Sequence, residues 1–499
     1  MSTTGTRPRP AGNSPRPEGV RPTTHPLRNA GALSPAMRTR RGVTLLLMTL
    51  FVPGSAQVTA GNRRWGRVGL RIWFGVLILG AALLVTYFFD RAFVIGLFAR
   101  PTFLLVLIGA LIVLALLWAA LFVDAWRLGA PKLQTTGARR GIAVLTALLV
   151  VGTAGPMLFA AKQATAGRAL VSKVFGGNHK SSVVAGRYNV LLLGGDAGKD
   201  RLGLRPDSMT LVSIDADSGR TVMFSFPRNM QNVPFPDTSP MHRAFPNGFN
   251  CGDSCLLNAV YTYASSHKGL YPKSVKNPGA QATMDAVAAI TGLKVNYYAL
   301  IDLKGFQRLI NAVGGVTIKV KTKVPIGGET TPISGYIRPG TRHLSGYQAL
   351  WYARSRTGSS DYERMARQRC VMTAMLQQMS PQKLLLKFQG IASASGQVVS
   401  TSIPDSEVGT FVDLALKAKS QKVSSIQFVP PLIVPKHPDF TQVRSMVTRA
   451  IAAAEKPPAS ATASHSATAS SGSSGSGATS GSRSSGSGEV DAKAVCSAA

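Results

Sequence analysis

Acidic side chains are scarce in this chain: 22 Asp and Glu stand against 56 Lys and Arg, a formal charge of +34 over 499 residues. Charged residues of both signs make up only 16%, while 45% are hydrophobic, which excludes a wholly disordered polyelectrolyte. Cysteine is also rare. Cys251, Cys255, Cys370 and Cys496 are too few for a disulfide scaffold, and no paired CxxC motif points to structural zinc. The seven histidines are scattered and no GxSxG elbow occurs in 187–452, so serine-hydrolase chemistry has no support. The length suggests about three domains.

The basic excess is unevenly placed. Before Asp90 the only acid is Glu18, against twelve arginines from Arg7 to Arg71. Residues 1–41, rich in Pro, Arg, Thr and Gly, read as a disordered basic tail. Within a membrane region at 42–162 follow three uncharged apolar stretches, 72–89, 101–123 and 141–161, each near the roughly 20 residues that cross a bilayer. The shorter 43–57, interrupted by Pro53-Gly54, suits a re-entrant or interfacial segment, with a cleaved signal peptide as its rival. The positive tail and the basic loop around Arg139 and Arg140 place the N-terminus in the cytoplasm. Three crossings then put everything after Ala161 outside a multi-pass plasma-membrane protein. Nucleic acid is not an expected partner, because the basic tail lacks stacking aromatics and no recognition helix is evident.

Beyond a linker at 163–186, residues 187–452 carry strand and helix signals in alternation, and 453–499 form a Ser/Gly-rich tail read as disordered. Apolar runs at 189–193, 209–214 and 221–226 read as strands. Helix is expected over 281–290, 303–313, 345–353 and 361–379, with further strands at 296–301 and 316–320. The expected fold class is α/β, an α-β-α-like sandwich around a central mixed sheet, preceded by transmembrane helices.

The chemistry sits at strand ends, where open α/β sheets bind ligands. Asp196 ends the first strand, Arg205 and Asp207 follow ahead of the second, and Arg228 follows the third. Arg354 and Arg356 share a face if extended, and Asp361, Arg364 and Gln368 form one stripe at i, i+3 and i+7 of a helix, with Arg367 beside it. Guanidinium forks bind phosphate oxygens bidentately, and carboxylates among them can hold a hard divalent cation shared with substrate phosphates. The set therefore describes a pyrophosphate site. Each residue also has a plainer reading: a solvated Arg pair, a helix ion pair worth a few tenths of a kcal/mol, or a turn aspartate.

The phrases NVLLLGGD (189–196), RPDSMTLVSID (205–215), SFPRN (225–229), LNAVYTYA (257–264), GLKVNYYALIDLKGFQRLINAVGGVTIKV (292–320) and PGTRHLSGYQALWYARSRTGSSDYERMARQR (339–369) resemble the LytR-CpsA-Psr family of cell-wall glycopolymer ligases. The multi-span N-terminus with its PGSAQ element resembles actinobacterial members. The resemblance implies a phosphotransferase that moves a glycopolymer phosphate from a polyprenyl-pyrophosphate carrier to a peptidoglycan hydroxyl. Its partners would be that lipid-linked glycopolymer, peptidoglycan and membrane lipid, and its cofactor Mg²⁺ or Mn²⁺. It implies Asp196 and Asp207 as metal-associated carboxylates. It further implies Arg205, Arg228, Arg354, Arg356 and Arg364 as pyrophosphate-binding arginines, with Asp361 and Gln368 completing the site. An apolar tunnel for the lipid tail is also implied, with 303–313 a candidate wall.

Two departures stand out. The family's PRD is Pro227-Arg228-Asn229 here, which keeps a hydrogen-bonding shape and loses a charge, and the Lys before the NAAY-like phrase is absent. Alternatives with the same arginines are a polyprenyl-pyrophosphate hydrolase and a non-catalytic polyprenyl-phosphate-binding module. Cys251 and Cys255, in a Pro-rich insertion outside the membrane, are disulfide candidates. Cys370 follows Arg369 on the site helix and is expected to be buried, and Cys496 lies in the tail.

Overall fold

A computed structural model describes residues 33–61, 63–98, 100–174, 183–196, 205–328, 331–378, 399–421, 423–455, 490–491 and 496. The chain divides into two compact units. One comprises 1–81 and 111–159, the other 82–110 and 160–499.

The first unit contains α1 (Pro35–Phe51), α2 (Ser55–Ala60) and parts of three long helices, α3 (Arg63–Phe89), α5 (Pro101–Leu128) and α6 (Thr136–Val174). Those three are long and apolar enough to cross a membrane. A 27-residue helix measures about 40 Å, more than a hydrocarbon core of about 30 Å. Residues 43–57 form the end of α1, a turn and the start of α2, and the helix begins at Pro35 inside the stretch expected to be disordered. The rest of that stretch, 1–32, lies outside the described residues. The PGSAQ element makes the turn: Gly54 adopts φ +95°, and a Cβ on Gly66 would come within 2.7 Å of its carbonyl oxygen. Gln57 Nε2 donates to the Leu121 carbonyl at 2.9 Å, fixing α2 on α5.

The linker expected at 163–186 is shorter than the sequence suggests, because α6 continues to Val174; residues 175–182 are outside the described set.

In the second unit a mixed seven-stranded sheet runs in the order β11-β10-β3-β2-β1-β4-β9. Its members are β1 (Arg187–Asp196), β2 (Arg205–Asp215), β3 (Thr221–Phe226), β4 (Tyr297–Asp302), β9 (Val399–Thr401), β10 (Val423–Gln427) and β11 (Val490–Asp491). β1 pairs antiparallel with β2 and parallel with β4, and β3 pairs parallel with β10. Alternation along β1 sends Leu191 and Leu193 to one face and Val190 to the other. The first face packs under α8 (Leu257–Ser266), α9 (Pro278–Thr291) and α14 (Phe440–Glu455), with Phe224, Val260, Val287 and Val447 fully buried. On the opposite face Tyr188 and Tyr297 meet Leu414 of α13 (Val408–Ser420), and Met223 meets Leu376 of α12 (Asp361–Gln378). The fold is therefore the α/β sandwich around a mixed sheet that the sequence leads one to expect.

A smaller lobe follows β4. It holds α10 (Leu303–Val313), β5 (Val316–Val320), β6 (Val324–Gly328), β7 (Thr331–Ile337), β8 (Gly340–Leu344) and α11 (Gly346–Arg354), closed on α12 by Ile310, Ile318, Leu344, Tyr352 and Val371.

α4 (Arg91–Phe98), between α3 and α5, packs on α13. Arg91 Nε bonds Asp413 Oδ1 at 2.8 Å, and Gly96 approaches Gly409 closely.

The tail departs from expectation. Residues 456–489 lie outside the described set, but Val490 and Asp491 pair with β10 and Cys496 is disulfide-bonded to Cys370. The end of the tail is thus attached to the domain. A pairing 126 residues apart is a tertiary fact with no local sequence signal. Cys251 and Cys255 form a second disulfide.

Candidate functional site

The site lies at one end of the sheet, where β1 and β3 finish and β2 begins. Backbone pairing sets Asp196 opposite Arg205. Two residues along β2, Asp207 Oδ1 accepts from Arg228 Nη1 at 2.8 Å. Arg228 is held by the turn after β3, in which Met230 N donates to the Pro227 carbonyl and Asn258 N to the Arg228 carbonyl. Asn229 points outward from that turn and is exposed, so its missing charge lies off the buried side of the cluster.

Two reciprocal caps define the other wall. Ser345 and Gln348 form a capping box at the start of α11, and Ser360 and Glu363 exchange the same pair of bonds at the start of α12. Between these helices the loop carries Arg356, whose Nη2 is 4.0 Å from Asp207 Oδ2 and whose Nε is 3.4 Å from Asp361 Oδ1. Arg364, 2% exposed, grips Asp361 with its fork, Nε to Oδ1 and Nη2 to Oδ2 both at 3.0 Å. Its remaining Nη1 donates to the Asp207 carbonyl at 3.0 Å, joining helix to strand. Burial alone would push the Asp361 carboxyl up. The Arg364 fork, with Arg228 and Arg356 nearby, outweighs that and holds it below the usual carboxylate range.

Asp207, Arg228, Arg356, Asp361 and Arg364 are thus brought together. Three guanidinium groups face two carboxylates, leaving an excess positive charge suited to a multiply charged anion. Gln368 donates to the Ala353 carbonyl and lines a small recess behind Asp207 with Ser208, Thr210 and Ser225. Arg354 is exposed at the end of α11, its guanidinium over the Trp351 ring, and Arg205 is exposed at the strand start. Arg367 points instead at the loop, donating to the carbonyls of Tyr352 and Ser355 and to Ser359 Oγ. It shapes the loop that presents Arg356.

Sequence reasoning missed Arg369. It is buried, borders the same recess and donates to Ser425 Oγ of β10 at 3.1 Å. The alternation that aims Ser208 and Thr210 of β2 at one face was the available signal, but only the sheet order brings Ser225 and Ser425 alongside.

Among the described residues no group of three or more His, Cys, Asp or Glu could hold a metal ion. Asp361 has both oxygens on Arg364, whereas Asp207 Oδ2 lies beyond hydrogen-bond length of Arg356. Asp207 is the carboxylate whose chemistry fits a hard cation, which typically takes one or two carboxylates and completes its shell with phosphate and water oxygens.

The α/β sandwich thus carries at its strand ends an arginine cluster whose charge complements an anion. The model of the LytR_cpsA_psr family matches residues 159–434, more than half of the chain, and the chain belongs to that family. Biofilm regulatory protein A of Streptococcus mutans is 27% identical over 224 residues, 43% of this chain and 50% of that protein. The polyisoprenyl-teichoic acid–peptidoglycan teichoic acid transferase TagV of Bacillus subtilis is 27% identical over 221 residues, again 43% and 50%. The chain spans about half the length of these curated relatives. Among solved structures, B. subtilis TagV superposes with a TM-score of 0.40 at 22% identity, covering 55% of this chain and 100% of that one. TagT bound to LIIa-WTA gives 0.37 at 20%, covering 54% and 92%.

Proposed function

We propose that this protein is a membrane-anchored phosphotransferase of cell-wall assembly, which moves a glycopolymer phosphate from a polyprenyl-pyrophosphate carrier to a peptidoglycan hydroxyl. The observation that carries this reading is the convergence of Arg228, Arg356 and Arg364 on Asp207 and Asp361 at the sheet end. Family membership and the transferase name of the TagV relative support it.

In this reading the arginine cluster, with Arg205 and Arg354 at its rim, binds the pyrophosphate. The acceptor hydroxyl oxygen attacks the glycan-side phosphorus. A new P–O bond forms, the bond to the bridging oxygen breaks, and polyprenyl monophosphate leaves with that oxygen. Arg228 and Arg356 neutralise the charge that grows on the bridging and terminal oxygens. The acceptor proton goes to Asp207 or to a phosphate oxygen. Asp207, with Asp196 at the neighbouring strand end, would hold Mg²⁺ or Mn²⁺, which when bound adds positive charge beside the phosphates. Gln368 keeps the Arg356 loop in register through the Ala353 carbonyl.

The domain acts outside the membrane, with the N-terminus in the cytoplasm. The basic N-terminal flank supports this orientation. The α4–α13 contact supports the odd number of crossings, because it puts the loop between the first two apolar helices on the same side as the domain that follows the third.

Phosphorus NMR on the full chain in detergent tests the reading, with a polyprenyl-pyrophosphate glycan, Mg²⁺ and a peptidoglycan fragment. Polyprenyl monophosphate that appears only with the fragment, together with a new phosphodiester, is expected. Monophosphate formed without it would identify a hydrolase, and no turnover a binding module.

A further inference from the structure

Positive charge is concentrated in the small lobe. Residues 303–345 hold seven Lys and Arg against one acid, Glu329, whereas 187–302 hold eleven against nine acids. The strand register shows where part of that charge gathers. Val320 pairs with Gly340 and Val324 with Ile337, so β5–β8 and β6–β7 are two stretches of one antiparallel ribbon. At the break between them, Lys321-Thr322-Lys323 on one strand lies beside Arg338-Pro339 on the other. The apolar face, with Val316, Ile318, Val320, Val324 and Ile337, is buried on the lobe's core. Lys319, Lys321, Lys323 and Arg338 are all exposed. Arg342 folds back onto the Arg338 and Pro339 carbonyls and fixes that turn. Lys323 packs over the exposed Tyr336 ring, which holds its ammonium on the ribbon.

The ribbon starts at the arginine site. Its Gly328 end, at φ +98°, fits directly against Thr357, the residue after Arg356, and a Cβ there would overlap the Thr357 side chain. From Gly328 to the basic break is about five residues, or roughly 17 Å. Lysines on exposed strand edges also discourage strand-to-strand association. That role does not call for Arg338 at the turn or for acids to be so few across the whole lobe.

We propose that this ribbon is a second anion-binding surface, separate from the arginine site, that holds the repeating phosphate or carboxylate groups of the polymer attached to the donor pyrophosphate. The inference rests on the donor proposed above. A chain leaving the arginine site along the ribbon meets Lys321, Lys323 and Arg338 after its first units, so long anionic polymers gain affinity that short or neutral glycans do not.

The test uses the full chain in detergent micelles and poly(glycerol phosphate) as probe, with neutral dextran of matched length as control. The wild-type protein binds the probe more weakly as salt rises and ignores dextran. The variant K321E/K323E/R338E loses about tenfold in affinity at low salt, from three surface charges of modest individual effect. R243E/K268E/K273E, the same charge change on exposed residues of the other lobe, leaves binding unchanged. Equal loss in both variants, or none in the first, overturns the proposal. So does stronger competition by short-chain phosphatidylglycerol than by the polymer itself, which would assign the ribbon to membrane headgroups. A donor carrying one neutral sugar is turned over equally by the wild type and the ribbon variant. If the wild type turns over no donor, the arginine-site reading fails, while polymer binding still decides the ribbon.

Discussion

Arg228 Nη1 and Asp207 Oδ1 lie 2.8 Å apart, and this bond ties the end of β3 to the start of β2. It fixes the guanidinium that faces the site without occupying its whole fork. Arg228→Lys keeps the charge and loses the planar geometry. Turnover is expected to fall by about 10²-fold, the order seen when one oxyanion-stabilising donor is removed. Circular dichroism should show an unchanged fold; full activity in a folded Arg228→Lys protein would remove Arg228 from the site.

Arg364 plays a different part. Its fork neutralises Asp361, and its third donor reaches the Asp207 carbonyl. Arg364→Ala leaves a half-buried carboxylate without its partner and is expected to destabilise the domain by about 3 kcal/mol. Denaturant titration measures this. Asp361 is held below its ordinary range, so its contribution to stability is present above about pH 4 and lost as pH falls through the folded value. Without Arg364 only Arg228 and Arg356 still oppose the effect of burial, and this acid-side loss should shrink in the stability profile.

The α4–α13 contact predicts a cross-link. Gly96→Cys paired with Gly409→Cys should form a disulfide under oxidising conditions, because a Cβ on Gly96 stands 3.7 Å from the Gly409 Cα. A mobility shift on non-reducing gels reads it. Failure to cross-link in membranes would place α4 and the domain apart.

Cys370 and Cys496 close a long loop onto the site helix. Cys496→Ser is expected to lower stability by up to about 5 kcal/mol, the entropic ceiling for a loop of this length. Cys370→Ser and the double variant should lower it equally, since all three remove one bond. A melting temperature unchanged in Cys496→Ser would show the bond to be unimportant.

The sequence by itself determined the elements. Apolar runs marked the strands and membrane-length helices, because burial needs a continuous hydrophobic stretch. The serine-to-acid or serine-to-amide spacings at Ser345–Gln348 and Ser360–Glu363 carried the starts of α11 and α12. The types and order of the site residues were also legible, since several guanidinium groups with interleaved carboxylates at strand ends suit phosphate oxygens. Only the tertiary structure decided which of them meet. Arg364 and Arg367 are neighbours on one helix, yet one grips Asp361 and the other the loop carbonyls, because a helix turns its residues by about 100° each. Arg369 joined the recess through the parallel pairing of β3 with β10, a contact across some two hundred residues of chain that no local pattern encodes. The Cys370–Cys496 bond and the basic ribbon follow the same logic, since register and sheet order set which distant side chains share a surface.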